Sequence, residues 1–481
     1  MMSQIDKQIM GSKVALNGAR GLVVAGLAGG SGKSVVSVGL TAVFASAGKE
    51  VVPFKKGPDY IDAGWLQLAA GRKCYNLDPY LVDEEILQNS FIRNSAEAEI
   101  ALLEGNRGLY DGVTADGGYS TADLAILLDL PVLLVVNCTK TTRTVAAMVL
   151  GCMKLDERIK IKGVVLNHVA TNRQRRLVSE AVEKYTGVPV LGVIPRMERD
   201  IFPMRHLGMI PYQEYNNSGG ALDFLKETVS ENVDIDRIES IMKPIGTTFN
   251  SSLSVRSEFT GEKVKIGIMQ DAAFQFYYSE NLEALEREGA EIIPLNALAD
   301  KELPPLDGLY IGGGFPETSA RELAANESFR ASVKQAAEDG LPIYAECGGL
   351  IYLGESLEQE GVVYPLAGVF PARFGMSPKP QAHGYSVFTV EEENPFYPVG
   401  TEVKGHEFRY STVLKWSWST DTRLTLRVER GKGFFDKRDG LCRKNVLALY
   451  THVHADGTPT WAKGLVDKCR ACRLGSANRG S

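Results

Sequence analysis

Apolar runs of strand length alternate with helix-length amphipathic segments through the first half of the chain. The first run, Gly21–Ala25, ends in glycines and is followed by helical spacing over Lys33–Ala47. Later runs that also end in turn residues are Val51–Phe54, Ile100–Leu103, Val132–Asn137, Gly163–Asn167 and Val190–Ile194. Near-continuous Val, Ile and Leu strands separated by helices are typical of a parallel sheet covered on both faces. This half is therefore predicted to be a doubly wound α/β domain.

The alternation weakens from about residue 211 and restarts near residue 262, which predicts a domain boundary near residue 255. Four further strands are predicted at Val264–Met269, Glu291–Leu295, Gly308–Ile311 and Pro342–Ala345. The predicted fold class is thus α/β with two doubly wound domains. The predicted divisions are an N-terminal tail over 1–19, the first domain over 20–245, a linker over 246–262, the second domain over 263–465 and a disordered tail over 466–481.

Composition and charge exclude several classes of protein. The 481 residues are 44% hydrophobic and 23% charged, which is ordinary for a globular chain. A net charge of −6 offers no electrostatic reason to expect nucleic acid or an anionic membrane as a partner. No apolar run approaches the roughly 18 residues of a membrane helix, and Met1–Arg20 lacks a signal-peptide core. Because the seven cysteines are odd in number and scattered, we expect a reducing cytoplasmic location.

A glycine-rich loop follows the first predicted strand. The segment Gly26–Ser34 reads GLAGGSGKS. It has one more residue between Gly26 and Gly32 than the common phosphate-binding loop has between the corresponding glycines. In such loops backbone N–H groups converge on phosphates at a helix N-terminus, while the lysine neutralises charge and the hydroxyl meets Mg²⁺. The predicted ATP-binding residues in this loop are Gly26, Gly30, Gly32, Lys33 and Ser34.

Acidic residues follow two other predicted strands of the first half. Lys55, Asp59 and Asp62 lie on the loop after one strand, and Glu104 directly follows another. In a doubly wound sheet such positions face the crevice where ligands bind. Since Mg²⁺ prefers oxygen ligands, the carboxylates of these two segments are candidates to hold the Mg²⁺ of a bound ATP.

The second half contains a cysteine on a sharp turn. Pro342–Ala345 leads into Glu346-Cys347-Gly348-Gly349, followed by a predicted helix over Leu350–Leu357. This is the pattern of a nucleophile elbow, in which a helix N-terminus favours the thiolate. The backbone N–H groups of Gly312–Glu317 could form an oxyanion site.

A thiolate nucleophile also needs a base. The only histidines that follow a strand-like run late in the second half are His452 and His454. Strand alternation places both on one face, so their spacing does not choose between them.

Together these residues resemble the cobyrinic acid a,c-diamide synthase family. The resemblance covers most of residues 20–460 and extends to its amidating relatives. The segments that carry it, in chain order, are Gly26–Ser34, Phe54–Asp62, Glu104–Gly105, Gly108–Gly112, Gly163–Asn167, Ala273–Leu282, Gly312–Glu317, Glu346–Gly349 and Gly405–Ser411. The family's late aromatic-x-His motif matches Tyr450-Thr451-His452, which selects His452 as the base.

The resemblance implies a dethiobiotin-synthetase-like ATPase domain joined to a class I glutamine amidotransferase domain. In the second domain it implies that Cys347 attacks L-glutamine with His452 as base, and that Gly313, Gly314 and Gly348 bind the substrate. In the first domain it implies that Mg²⁺ and ATP activate a carboxylate of a tetrapyrrole polycarboxylate as an acyl phosphate. The further residues implied there are Ser34, Asp59 and Glu104 for Mg²⁺, Lys55 and Asn167 for ATP, and Asp62, Tyr110 and Asp111 for the substrate.

Several alternatives stay open from the sequence. Ala63–Trp65 departs from the family pattern beside the expected substrate, so sirohaem and nickel-sirohydrochlorin are alternatives to cobyrinic acid. From another class, a P-loop switch ATPase with a vestigial glutaminase domain is the rival function. Partitioning ATPases usually carry a lysine where Ala28 stands, which disfavours that rival. The oligomeric state is also open, a homodimer included.

Overall fold

The structure is a computed structural model that describes residues 18–115, 117–197, 204–205, 208–215, 217–246, 259–417 and 421–477. Contacts along the chain divide it into two compact units, with the division after Val255. Residues 1–17 and 247–258, most of the predicted N-terminal tail and linker, lie outside the described residues. Each unit has its own sheets and its own buried core.

A parallel sheet forms the centre of the first unit. The strands of this unit are β1 (Arg20–Gly26), β2 (Val51–Lys56), β3 (Tyr75–Leu77), β4 (Ile100–Glu104), β5 (Val132–Asn137), β6 (Ile161–Val169), β7 (Val190–Pro195), β8 (Met204–Arg205), β9 (Gly208–Met209) and β10 (Lys243–Pro244). The strand order is β3-β2-β4-β1-β5-β6-β7, with β10 antiparallel to the start of β1. Because β1 is central and parallel to β4 and β5, the loops after these strands share one edge.

Helices cover this sheet and bury its apolar side chains. They are α1 (Lys33–Ser46), α2 (Ile61–Ala70), α3 (Glu84–Ser95), α4 (Thr121–Leu127), α5 (Thr144–Leu155), α6 (Asn172–Thr186), α7 (Ser218–Asn232) and α8 (Ile235–Ile241). One core cluster joins Leu22 and Val24 of β1 to Val36 and Leu40 of α1 and Val229 of α7. The glycine loop is thereby held between a buried strand and a buried helix.

The second unit is built on a mixed sheet. Its strands are β11 (Val264–Met269), β12 (Ala290–Leu295), β13 (Gly308–Ile311), β14 (Ile343–Glu346), β15 (Ser356–Gln359), β16 (Val362–Pro365), β17 (Ala372–Met376), β18 (Ala382–Val390), β19 (Glu402–Arg409), β20 (Ser411–Trp416), β21 (Arg423–Arg430), β22 (Arg438–Arg443), β23 (Val446–Leu449) and β24 (His452–Val453). The order β12-β11-β13-β14-β23 is parallel and continues antiparallel through β22-β21-β18-β19-β24. A smaller sheet has the order β16-β15-β17-β20.

Both faces of the parallel strands are covered by helices, as a doubly wound domain requires. The helices are α9 (Ser279–Arg287), α10 (Ala320–Ala325), α11 (Glu327–Glu338), α12 (Gly348–Tyr352) and α13 (Thr460–Ala477). Ile343 and Ala345 of β14 belong to one core cluster and Tyr344 to another, as strand alternation requires. The predicted fold class is confirmed; the antiparallel extension was not predicted.

Two local predictions in the second half were wrong. The predicted disordered tail over 466–481 is helical to Ala477, because Val466 and Cys469 of α13 bury apolar surface against the sheet. The helix predicted over Leu350–Leu357 ends at Tyr352, and Ser356 begins β15, which pairs with β16 and β17. In both places tertiary packing decided the local structure. Within the described ranges, every helix is too short or too polar to cross a membrane.

Candidate active sites

The phosphate loop between β1 and α1 has a defined backbone shape. Gly30 and Gly32 have φ angles of 75° and 93°, which favour glycine. Ser31 Oγ donates to the carbonyl of Ala28 at 2.9 Å and accepts from its N–H at 3.1 Å. These turns let the loop curl around an anion at the N-terminus of α1.

Asn167, predicted to bind ATP, supports the loop from the end of β6. Its Nδ2 donates to the carbonyl of Ser31 at 3.0 Å, and its Oδ1 accepts from the N–H of His168 at 2.9 Å. A Cβ at Gly32 would collide with the Asn167 amide. Asn167 therefore holds the shape of the loop, and a direct contact with nucleotide stays a prediction.

A cation and three carboxylates meet at the edge of the sheet beside the loop. Lys55 Nζ lies 2.5 Å from Asp62 Oδ2, 3.0 Å from Glu104 Oε1 and 3.8 Å from Asp59 Oδ2. Asp59 Oδ1 accepts from the N–H of Asp62 at 3.0 Å. Because β2 and β4 are neighbours, the sheet brings together residues that are almost fifty positions apart.

Ser34 connects this cluster to the phosphate loop. Its Oγ donates to Glu104 Oε1 at 2.7 Å, and Ser37 Oγ donates to Oε2 of the same carboxylate at 2.5 Å. Ser37 was missed from the sequence. Its spacing of one helical turn from Ser34 is the signal that could have found it.

The charge state of the cluster follows from its burial and its ion pairs. Burial opposes the charge of Lys55, but Asp62, Glu104 and Asp59 together hold its pKa well above the ordinary value. Burial and the neighbouring Lys55 lower the pKa of Lys33. Lys55 is therefore firmly charged, and the charge of the neighbouring Lys33 would be stabilised by an incoming phosphate.

The oxygen atoms of this cluster suit Mg²⁺ only when a bound substrate completes its coordination. Among the described residues, no group of three or more His, Cys, Asp or Glu side chains could hold a metal. Mg²⁺ is usually bound by one or two carboxylates together with waters and substrate phosphates. The Ser34 hydroxyl and the Glu104 and Asp59 carboxylates fit that role, with ATP completing the coordination.

The loop that carries Tyr110 and Asp111 packs against the phosphate loop. The N–H of Leu109 donates to the carbonyl of Gly26 at 2.7 Å. Asp111 Oδ2 accepts from the N–H of Gly108 at 2.7 Å, and Tyr110 Oη donates to the carbonyl of Cys152 at 2.6 Å. Both polar side chains thus bond to backbone, and their contact with substrate stays a prediction.

In the second unit, Cys347 occupies a strained turn between β14 and α12. Its φ and ψ are 46° and −96°, a conformation that non-glycine residues rarely adopt. The N–H of Cys347 donates to the carbonyl of Leu449 at 2.8 Å. Strain of this kind is typical of a nucleophile elbow, where it presents the thiol above the sheet.

The glycines predicted to bind glutamine lie beside this turn. A Cβ at Gly348 would approach the N of Gly314 to 3.0 Å. The carbonyl of Gly313 accepts from the N–H of Phe276 at 3.0 Å, which holds the loop. The Gly313–Gly314 backbone is therefore placed where its N–H groups could meet an oxyanion formed at Cys347.

The structure distinguishes the two histidines that strand alternation left equivalent. His452 is buried, and a Cβ at Gly313 would collide with its Cε1. Burial opposes its charge, but Cys347 and Glu346 raise the pKa of His452 to about 9. His454 instead lies 3.9 Å from Glu280 and accepts from the N–H of Asp456. The histidine near Cys347 is therefore His452.

We expect Gly313→Ala to impair glutamine hydrolysis by roughly 10–100-fold, because its Cβ would displace the His452 ring and small misplacements are costly in catalysis. The measurement is glutamate release from glutamine. Gly475→Ala in α13, where no atom crowds the new Cβ, is the matched control and should behave as wild type. Full activity of Gly313→Ala would show that this loop is not part of the glutaminase site.

Comparison with known proteins matches each half of the chain to a described domain. Residues 22–209 match the CobQ/CobB/MinD/ParA nucleotide binding domain. Residues 265–460 match the CobB/CobQ-like glutamine amidotransferase domain. The two matches include the phosphate loop and the cysteine turn, respectively.

Curated relatives match almost the whole chain. A cobyrinate a,c-diamide synthase of Magnetococcus marinus is 40% identical over 90% of this chain and 93% of its own length. The enzyme of that name from Archaeoglobus fulgidus is 39% identical over 93% of this chain and 97% of its own. That from Listeria innocua is 37% identical, covering 90% and 96%.

Proposed function

This chain belongs to the cobyrinate a,c-diamide synthase family, and we propose on that premise that it amidates the a- and c-acetate carboxylates of cobyrinic acid. ATP and L-glutamine are the co-substrates. The observation that carries the proposal is the presence, in one chain, of a phosphate loop with its Lys55–Glu104 cluster and of a Cys347–His452 pair beside a glycine loop.

The second unit would release ammonia from glutamine. The Cys347 proton passes to His452, and the thiolate attacks the side-chain carboxamide carbon. The N–H groups at Gly313 and Gly314 would stabilise the oxyanion that forms on the carbonyl oxygen. His452 then returns its proton to the departing nitrogen, which leaves as ammonia. Water hydrolyses the thioester to glutamate and frees Cys347.

The first unit would activate the acceptor carboxylate. Carboxylate is a poor electrophile, so its oxygen first attacks the γ-phosphorus of ATP, which releases ADP and leaves an acyl phosphate. Lys33 and Lys55 would stabilise the charge on the transferred phosphoryl group. When bound, Mg²⁺ neutralises phosphate charge, held by Ser34, Asp59 and Glu104. Ammonia then attacks the acyl carbon, and phosphate leaves to give the amide.

The alternative functions have less support. Sirohaem and nickel-sirohydrochlorin would use the same chemistry, but the named relatives act on cobyrinate. The P-loop switch ATPase is disfavoured because residues 265–460 match an amidotransferase domain and carry the strained Cys347 turn. We further propose that the enzyme acts in the cytoplasm, since Cys347 must stay reduced. Its proposed partners are small molecules and do not include nucleic acid.

The proposal predicts glutamine-dependent ADP release that requires cobyrinic acid. The assay compares cobyrinic acid, sirohaem and nickel-sirohydrochlorin at equal concentration, with mass spectrometry of each macrocycle. Formation of cobyrinic acid a,c-diamide would support the proposal. Turnover with another macrocycle alone would change the substrate but keep the enzyme class. ATP hydrolysis that no macrocycle stimulates would contradict the proposal and favour the switch ATPase.

A further inference from the structure

A buried carboxylate lies immediately before the proposed nucleophile. Glu346 is the last residue of β14, and its side chain is fully buried. Its Oε1 accepts from the N–H of Val453 at 3.1 Å, and its Oε2 accepts from Tyr310 Oη at 3.2 Å. The same Oε2 lies 3.7 Å from His452 Nδ1. Glu346 is thus held by groups on two other strands, facing the imidazole.

Four titratable groups surround His452. Cys347 and Glu346 come from the end of β14, and His406 of β19 stacks on the His452 ring with centroids 4.8 Å apart. His454 follows on the same segment as His452 and pairs with Glu280. Burial, together with the other two histidines, holds the pKa of His406 well below its usual range. His406 is therefore a neutral stacking partner, whereas Glu346 contributes negative charge.

We propose that Glu346 is the positioning residue of the glutaminase site, orienting His452 Nδ1 toward its carboxylate and leaving Nε2 for Cys347. This inference rests on the proposed glutamine hydrolysis. When the Cys347 proton moves to His452, the carboxylate stabilises the imidazolium that forms, and Glu346 takes no proton in the step. Sequence reasoning treated Glu346 only as a neighbour of the cysteine.

The fold explains how a residue next to the nucleophile can serve its base. Strand alternation directs Glu346 to the same face as Tyr344, whose ring packs with Tyr310. The positive φ at Cys347 then turns the chain away from the strand. Since β23 pairs in parallel with β14, with Leu449 beside Glu346, His452 is brought back to this edge of the sheet. Glu346 and His452 therefore face each other across 106 positions of sequence.

The test is Glu346→Gln, which preserves size and removes the charge. We expect kcat for glutamine hydrolysis to fall about 100-fold with little change in KM. The Glu346 carboxylate is one of the groups that raise the pKa of His452, so that pKa should be lower in the variant. The alkaline limit of activity should therefore also move to lower pH. Glu346→Asp, which restores the charge, should recover part of kcat and the wild-type alkaline limit. A merely structural role would not shift that limit.

Glu280→Gln is the matched control, because Glu280 is an equally buried carboxylate that faces His454 instead. It should keep the wild-type pH profile. A Glu346→Gln protein with the profile of Glu280→Gln would overturn the inference while leaving the glutaminase intact. Wild-type protein without any glutaminase activity would instead overturn the proposed function.

A second measurement needs no Glu346 variant. In wild-type protein labelled with ¹⁵N-histidine, the spectrum covers six histidines, and His452→Asn identifies the signal of interest. We expect neutral His452 to carry its proton on Nδ1 and to titrate above the ordinary histidine range. A proton on Nε2, or titration at or below the ordinary range, would overturn the inference even where Glu346→Gln fails to fold.

Discussion

Cys347→Ser should lose glutamine-dependent amidation by at least ~10³-fold while keeping ammonia-dependent amidation. The serine hydroxyl fits the turn between β14 and α12 but is a far weaker nucleophile than a thiolate. Added ammonia bypasses this unit, since the acyl phosphate would be formed by the residues around Lys55. The measurement is diamide formation with each nitrogen source at saturating ATP.

Cys472→Ser is the matched control, because Cys472 is a partly buried cysteine of the same unit. It should keep both activities. Loss of the ammonia-dependent reaction in Cys347→Ser would mean that the substitution disturbs more than the nucleophile. Retention of the glutamine-dependent reaction would remove Cys347 from the proposed mechanism.

Lys55→Met should abolish ATP-dependent activation and destabilise the first unit. The substitution leaves Glu104 and Asp62 without their closest cation, and breaking a buried ion pair costs about 3–5 kcal/mol. We expect a fall in Tm of roughly 10 °C and a fall in ammonia-dependent ADP release of at least ~10²-fold. Calorimetry and the ammonia-dependent assay give the two values.

Lys49→Met provides the control for a lysine in an ion pair. Lys49 lies 2.6 Å from Glu239, but both side chains are about one-third exposed, so its loss should cost at most about 1 kcal/mol. Alkylation of Cys347 by iodoacetamide should match wild type in both variants, because that thiol belongs to the other unit. Wild-type ADP release by Lys55→Met would exclude Lys55 from phosphoryl transfer.

Much of the first site could be predicted because its residues lie in short segments with strong local signals. Lys33 and Ser34 belong to a glycine loop, and Asp59 and Glu104 follow apolar strands. Contacts that join the segments were not predictable in this way. The bond from Ser37 to Glu104 and that from Asn167 to the loop depend on the order of strands in the sheet.

The C-terminal helix shows why local pattern also misled. Lys468–Ser481 is rich in small, polar and basic residues, which predicts a disordered tail. Trp461, Leu465 and Cys469 nevertheless lie on the face of α13 that packs on β11 and β13. The helix forms because that apolar face has a surface to cover, and most helix stability comes from such packing.

The sequence by itself determined the phosphate loop, the cysteine turn, the fold class and the family to which the chain belongs. These features depend on neighbouring residues and on the period of apolar positions. Residue spacing left His452 and His454 equivalent and only the family resemblance selected His452, whereas the tertiary structure itself places His452 beside Cys347 and Glu346 against His452. Strand alternation places both histidines on one face, and the parallel pairing of β23 with β14, which sets Leu449 beside Glu346, brings His452 to the cysteine turn. Such register is set by contacts between distant parts of the chain, which no local pattern encodes.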